Sequence, residues 1–466
     1  MPDSSRRVVI LGGGPGGYES ALVAAQLGAD VTVVDSDGIG GSAVLTDCVP
    51  SKTLIATAEL MTDIRGAREL GLRLPGFTGL VADLTVDLSA VNDRVKSLAA
   101  EQSADIARRL ERDGVKVLVG RGRLDGNERV IATLADGTEQ VLEADTILIA
   151  TGAAPRTLPS AQPDGERILT WEQVYDLDEI PQKLIVVGSG VTGAEFASAY
   201  LALGVDVTLV SSRDRVLPGE DADASAVLEE VSIRKGMNVL GQSRMESVVR
   251  DGDVVTVTLT DGRQVTGSHC ILALGSIPNT ADLGLESAGV ITDDGGFIKV
   301  DRVSRTSARG VYAAGDCTGV LMLASVAAMQ GRIAMWHFLG DAVAPLDLKK
   351  VASNVFTAPE IATVGCSQKA VESGEILAET VMLPLAGNPR AKMQGIHDGF
   401  VKLFCRPGMG IVVGGVVVGP RASELIHPLS IAVSESLTAD QFAQAFTVYP
   451  SLSGSLAEAA RRLHRV

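Results

Sequence analysis

The sequence predicts an α/β protein: two doubly wound units, each built on a parallel sheet, followed by a C-terminal α+β piece. Two observations carry this. A strand, glycine turn, helix, strand pattern occurs twice, and after Pro345 the chain changes to alternating β segments followed by helices.

In the first copy, residues 7–11 (RVVIL) form a short apolar strand of the kind buried in a parallel sheet. Gly12-Gly-Gly14-Pro15-Gly-Gly17 follows, then the alanine-rich helix YESALVAAQLG and a second strand, DVTVV, ending in Asp35. Gly12 permits the tight turn, Gly14 lets a pyrophosphate approach the backbone, and Gly17 lets helix and strand pack closely. The helix N-terminus offers dipole and free N–H groups to phosphates, and Asp35 stands where a carboxylate can take ribose hydroxyls. The second copy reads 183–187 (KLIVV), Gly188-Ser-Gly190-Val-Thr-Gly193, AEFASAYLALG and DVTLV. Each copy is later followed by an apolar strand with a glycine exit: DTILIATGAAP (145–155, with Thr151 and Gly152) and SHCILALGSIP (268–278, with Gly275). The repetition implies an internal duplication that binds two dinucleotides.

Composition bounds the rest. At 466 residues the chain holds two to four domains. A net charge of -16 disfavours unspecific binding to nucleic acid or anionic lipid, so phosphates must be held by backbone N–H groups and a few placed cations. Cys48, Cys270, Cys317, Cys366 and Cys405 are scattered with no CxxC, which speaks against a disulfide framework or a zinc site. His269, His337, His397 and His464 share no metal spacing, and no metal is expected. His427, in the helical stretch ELIHPLSIAV, is expected in the core or at an interface, and 322–335 as a packing helix. MPDSSRR runs straight into a strand, and runs such as 411–419 fall far short of a bilayer span. A cytoplasmic protein with no transmembrane segment is expected.

The chain is organised around 35–52, DSDGIGGSAVLTDCVPSK. Its Gly40-Gly41, single Cys48 and Pro-Ser-Lys52 resemble the redox-active segment of the flavoprotein disulfide reductases, the family of lipoamide dehydrogenase and glutathione reductase. RGVYAAGD (309–316) resembles the family segment that returns to the first domain. NVFTAPEIATVG (354–365) and the last helical stretch resemble its dimerisation domain. The resemblance runs from about residue 6 to 463. It implies two doubly wound Rossmann-like nucleotide-binding domains plus a C-terminal α+β dimerisation domain, and a homodimer. The implied division is 1–155 and 279–345 for FAD, 156–278 for NAD(P)H and 346–466 for dimerisation. FAD would be held by Gly12, Gly14, Pro15, Gly17, Asp35, Gly41, Thr151, Gly152, Gly315 and Asp316. The nicotinamide nucleotide would lie on Gly188, Gly190, Gly193, Glu195, Ser211, Arg213 and Gly275.

The resemblance also assigns chemistry. Lys52 would stabilise the anionic reduced flavin with Glu195 as its partner, since an unpaired buried charge costs several kcal/mol. The other reading of Lys52 is a solvated residue at a helix start. Cys48 matches the cysteine that touches the flavin, but Ala43 stands where its disulfide partner should be, so exchange through a resolving pair is lost. Cys48 is either redox-active or an inert thiol packed against the flavin. Near the C-terminus, Tyr449-Pro-Ser-Leu-Ser-Gly454 replaces the family's His-Pro-Thr and its glutamate. Tyr449 would approach the other subunit's flavin as a hydrogen-bond donor, or fill the space the histidine left. Together these losses mean that the disulfide half-reaction has been abandoned.

The second unit ends in Ser211-Ser-Arg213-Asp-Arg215 rather than in an acid. Hydroxyls and an arginine suit a 2′-phosphate, so NADPH is expected, with NADH tolerated; the alternative is a solvated arginine pair. The expected function is an FAD-dependent NAD(P)H oxidoreductase that passes electrons to a small acceptor, a quinone. The alternatives are a pyridine-nucleotide transhydrogenase and a catalytically degenerate flavoprotein acting as a redox-sensing or binding subunit.

Overall fold

The computed structural model describes residues 5–72 and 84–463, which leaves His464 outside the described residues. The chain divides into two compact units. One comprises Met1–Ser51, Asp93–Arg156 and Gly275–Asp347, and the other Lys52–Asn92, Thr157–Leu274 and Leu348–Val466.

The first unit is built on a seven-stranded sheet in the order Val311–Ala313, Thr146–Ile149, Arg7–Leu11, Asp30–Asp35, Lys116–Leu124, Arg129–Leu134, Glu139–Glu143. The first five strands run parallel and the last two pairings are antiparallel. Strand alternation explains the unbroken apolar run at the N-terminus. Val8 and Ile10 enter one core with Leu22, Val33 and Met335, while Val9 and Leu11 enter another with Ile147, Ile298 and Cys317. The glycine turn leads into the helix Pro15–Gln26, which lies against the helix Ala324–Leu339. The two approach closely at glycines: a Cβ on Gly331 would stand 2.3 Å from the Gly16 carbonyl oxygen.

The second unit repeats the central pattern in a five-stranded parallel sheet, ordered Asn238–Leu240, Asp206–Val210, Lys183–Val187, His269–Leu272, Ile168–Leu169. In both units the strand before the glycine turn lies between the strand after the helix and the later apolar strand. The same unit holds an antiparallel five-stranded sheet from the C-terminal part of the chain. Its order is Ala352–Val355, Glu360–Gly365, Val412–Gly419, Phe400–Cys405, Glu379–Pro384. Val401, Leu403, Cys405 and Val417 form a core with Leu429 of the helix Ala422–Ser434 and Ala459 of the helix Gly454–Arg462.

Every residue of Phe400–Cys405 is buried, and Lys402 is 1% exposed. Its ammonium lies 2.8 Å from both carboxylate oxygens of Asp221, the N-cap of the helix Ala222–Arg234, and 2.6 Å from Asp223. Covering the second face of the strand with acidic side chains makes a buried lysine tolerable. His427 is exposed on its helix, so of the two expected places, core or interface, the core falls away.

Candidate functional site

The two glycine turns have nearly the same geometry. A Cβ on Gly12 would lie 2.2 Å from the Ala150 carbonyl oxygen, and one on Gly188 would lie 2.1 Å from that of Ala273. On Gly17 and Gly193 it would lie 1.9 Å from the carbonyls of Gly12 and Gly188 respectively. Gly12 and Gly188 hold φ of 102° and 112°, a region that side-chain-bearing residues rarely adopt. Gly14 and Gly190 differ from these. Each precedes its helix with no side-chain cap, and space stands open where a Cβ would be, with Gly41 Cα 3.9 Å off in the first turn. Pro15 occupies the first helical turn, where its missing N–H costs nothing. Two uncapped helix N-termini fronted by bare glycine backbone fit the pyrophosphates of two dinucleotides.

In the first unit Asp35 fastens the turn. One carboxylate oxygen accepts the Gly13 N–H at 2.6 Å, and the other accepts those of Asp37 and Gly38 at 2.9 and 2.6 Å. Gly41, with φ of 57°, packs against the Gly14 backbone. Thr151 donates its hydroxyl to the Asn279 carbonyl at 2.7 Å, and the Asn279 side chain donates to the Thr151 carbonyl at 3.0 Å. Gly152 and Gly275 both adopt positive φ, and the Gly275 carbonyl accepts the Arg156 N–H. Gly315, also at positive φ, donates its N–H to the Gln330 side chain at 2.9 Å. Gln330 is buried in an alanine-rich helix, and its role escaped the sequence reading because nothing local marks it. Burial, with the Asp47 carboxylate as a second cause, raises the Asp316 carboxyl to about 6. Cys317 is buried, and its thiol is pushed up to about 11 by burial, which makes it unreactive.

Cys48 is half-buried and opens the helix Cys48–Gly66. Ala43 lies in the short helix Gly41–Leu45, and all five cysteines carry free thiols.

In the second unit Lys52 and Glu195 meet. The ammonium lies 2.8 Å from Glu195 Oε2, and Glu195 is 4% exposed. The other carboxylate oxygen, Oε1, accepts the backbone N–H of Phe356 at 2.9 Å, and the Phe356 ring centroid lies 5.0 Å from the Lys52 ammonium. Ser198, three residues after Glu195 on the same helix, accepts the Ala358 N–H at 3.0 Å. Sequence reasoning found the ion pair but not Phe356 or Ser198, since a backbone N–H leaves no mark in side-chain pattern. Ser211 is fully buried, and its hydroxyl lies 2.7 Å from that of Ser189; Arg213 is exposed. Tyr449 is 83% exposed beside the exposed Phe446 and Val448.

Residues 6–331 match the family model described as pyridine nucleotide-disulphide oxidoreductase, and 351–460 match the dimerisation domain of the same family. The chain belongs to the pyridine nucleotide-disulphide oxidoreductases. It is 57% identical to the NAD(P)H dehydrogenase (quinone) of Mycobacterium tuberculosis, over 98% of this chain and 94% of that protein. It is 33% identical to a dihydrolipoyl dehydrogenase of Zymomonas mobilis, over 97% and 96% of the two chains. The crystal structure of LpdA from Mycobacterium tuberculosis superposes with a TM-score of 0.94 at 56% identity, over 99% of this chain and 100% of that one. Family membership makes the chain an oxidoreductase that uses FAD and a nicotinamide nucleotide, and the two glycine cradles fit that pair. Among the described residues no helix is long and apolar enough to cross a membrane.

Proposed function

We propose that this chain is an FAD-dependent NAD(P)H dehydrogenase that reduces a quinone and prefers NADPH. One observation carries the reading: the Lys52–Glu195 pair is present at 2.8 Å, while the sequence has Ala43 where the resemblance puts the disulfide partner of Cys48. The name of the 57% identical relative supports the acceptor. When bound, FAD would supply hydride acceptance from the nicotinamide and electron delivery to an acceptor, for which a flat electrophilic ring needs no cysteine relay.

The chain's own groups supply binding, charge and protons. Gly12, Gly14, Pro15, Gly17, Gly41, Thr151, Gly152 and Gly315 give FAD close approach to the backbone at an uncapped helix N-terminus, while Asp35 and Asp316 take its hydroxyl-bearing parts. Gly188, Gly190, Gly193 and Gly275 do the same for the nicotinamide nucleotide. Lys52 holds positive charge for the reduced flavin, and Glu195 keeps that charge from standing alone in a largely buried place. Cys48 packs as a thiol without an exchange partner. The match to the dimerisation domain and the exposed Phe446, Val448 and Tyr449 support a homodimer in which Tyr449 serves the partner's site. The division into 1–155 with 279–345, 156–278 and 346–466 is the domain arrangement this reading uses.

The test is steady-state NADPH oxidation by the purified yellow protein with a panel of quinones, dihydrolipoamide, oxidised glutathione and an NAD analogue. Quinone turnover with none of dihydrolipoamide or glutathione is expected, and Ala43→Cys alone should not restore disulfide turnover. Hydride transfer to the NAD analogue without quinone turnover would make the chain a transhydrogenase. Inertness toward every acceptor would leave a binding or sensing subunit.

A further inference from the structure

The connection 356–359 between the strands Ala352–Val355 and Glu360–Gly365 carries no part of the chemistry above, yet it is fastened at several points. The Phe356 N–H goes to Glu195 Oε1 at 2.9 Å and the Ala358 N–H to the Ser198 hydroxyl at 3.0 Å. Both acceptors sit on one face of the helix Val191–Leu203, three residues apart. Within the loop the Thr357 hydroxyl donates to the Pro359 carbonyl at 2.7 Å. At its far end Glu360 is 6% exposed, and its two oxygens accept the N–H groups of Arg421 and Ser423 at 3.1 and 2.9 Å. The loop is thereby tied both to the helix that carries Glu195 and to the start of the helix Ala422–Ser434.

We propose that this loop is a positioning clamp for the Lys52–Glu195 pair, with Phe356 and Ser198 as positioning residues; the proposal rests on the reading that Lys52 stabilises the reduced flavin. A carboxylate held by one oxygen alone can swing about its terminal torsion and carry the ammonium with it. Glu195 is held by both oxygens, so its plane is fixed and Oε2 points to a single place. The Phe356 ring adds a second restraint, because a cation 5.0 Å from an aromatic centroid is attracted to the ring face. Ser198 keeps the Phe356 N–H in register by anchoring the loop two residues further on. Its effect therefore reaches Lys52 only through Phe356 and Glu195.

Side-chain substitution cannot remove the Phe356 N–H, so the test loosens the loop on either side of it. The FAD-loaded full chain is prepared as wild type, Ser198→Ala, Ser198→Thr, Phe356→Leu, Lys52→Met and the Ser198→Ala/Lys52→Met pair. The midpoint potential of the flavin is read by spectroelectrochemistry, and flavin reduction by NADPH is followed by rapid mixing. Expected for Ser198→Ala and Phe356→Leu is a negative shift in potential, smaller than that of Lys52→Met. Flavin reduction should slow by roughly threefold to tenfold, toward the low end of coupling through a shared hydrogen-bond network, with little change in NADPH affinity. Ser198→Thr keeps a hydroxyl and should restore much of the potential. In the Lys52→Met background Ser198→Ala should shift nothing further. If Lys52→Met shifts the potential and neither Ser198→Ala nor Phe356→Leu does, the clamp is wrong while the role of Lys52 stands. If Lys52→Met leaves the potential unchanged, the reading of the pair fails and the clamp falls with it. Full additivity of the double variant also overturns the clamp.

Discussion

The hydroxyls of Ser189 and Ser211 lie 2.7 Å apart, and neither serine is more than 5% exposed. Ser211 Oγ also accepts the Arg213 N–H at 3.1 Å. A hydroxyl engaged in this way sets the path of the chain into Arg213 rather than reaching toward a ligand. The guanidinium of Arg213, by contrast, is exposed, and in the function proposed above it is the group that would select the 2′-phosphate.

Arg213→Ala should erode the kcat/KM preference for NADPH over NADH by roughly tenfold or more, the worth of one charge-assisted phosphate contact of about 1.5–3 kcal/mol. Ser211→Ala should instead lower the efficiency with both nucleotides by a similar factor, since it disturbs the turn that both use. The two nucleotides' kinetic constants, measured in parallel, check this. Equal losses for both nucleotides in Arg213→Ala would make that arginine structural.

Lys402 carries a stability prediction. Its ammonium and the Asp221 carboxylate are each 2% exposed at the side chain, so removing one partner leaves the other as a buried charge. Lys402→Met should destabilise the second unit by about 3–5 kcal/mol, whereas the pair Lys402→Met/Asp221→Asn should recover part of that loss. Denaturant unfolding of the three proteins decides the matter. A single variant as stable as wild type would show that water reaches the site.

Lys402 also marks where sequence ceases to be informative. The glycine turns were legible because backbone sterics admit only glycine at Gly12, Gly17, Gly188 and Gly193, and that demand is written at fixed spacing. The Lys52–Glu195 pair was legible only through the family resemblance, since 143 residues separate its members. The burial of Lys402 was not legible because alternation reports only the faces of one sheet. The acids that cover its second face arrive from 179 and 181 residues away. Phe356 and Ser198 escaped for a different reason. One acts through its peptide N–H and the other accepts a peptide N–H, and neither contact leaves a mark in side-chain pattern.

Asp316 gives a pH signature. Burial and the Asp47 carboxylate raise its folded value to about 6 from an ordinary 3.8. A carboxyl raised on folding contributes stability below about 3.8, loses it as pH rises, and has lost it above about 6. Asp316→Asn should therefore flatten part of the fall in thermal stability between about pH 4 and pH 6, and Asp47→Asn should flatten less of it. Thermal unfolding at several pH values tests this. Parallel profiles for wild type and Asp316→Asn would count against a raised Asp316.

Tyr449 is 83% exposed, and with Phe446 and Val448 it forms an apolar edge in the match to the dimerisation domain. Large apolar side chains grouped this way are the usual core of an interface between chains. A phenol O–H is a competent hydrogen-bond donor to an oxygen that gains charge. Quinone reduction develops charge on two such oxygens, and losing a donor there costs a factor of ten to about a thousand. Tyr449→Phe keeps the ring and its buried area, so the dimer should persist by sedimentation while quinone reduction slows. Flavin reduction by NADPH should be nearly unchanged, because that half-reaction releases no charge onto the acceptor. Rapid-mixing measurement of each half-reaction separates the two roles. An unaltered oxidative half-reaction in Tyr449→Phe, with dimerisation weakened in Tyr449→Ala, would reduce Tyr449 to packing at the interface.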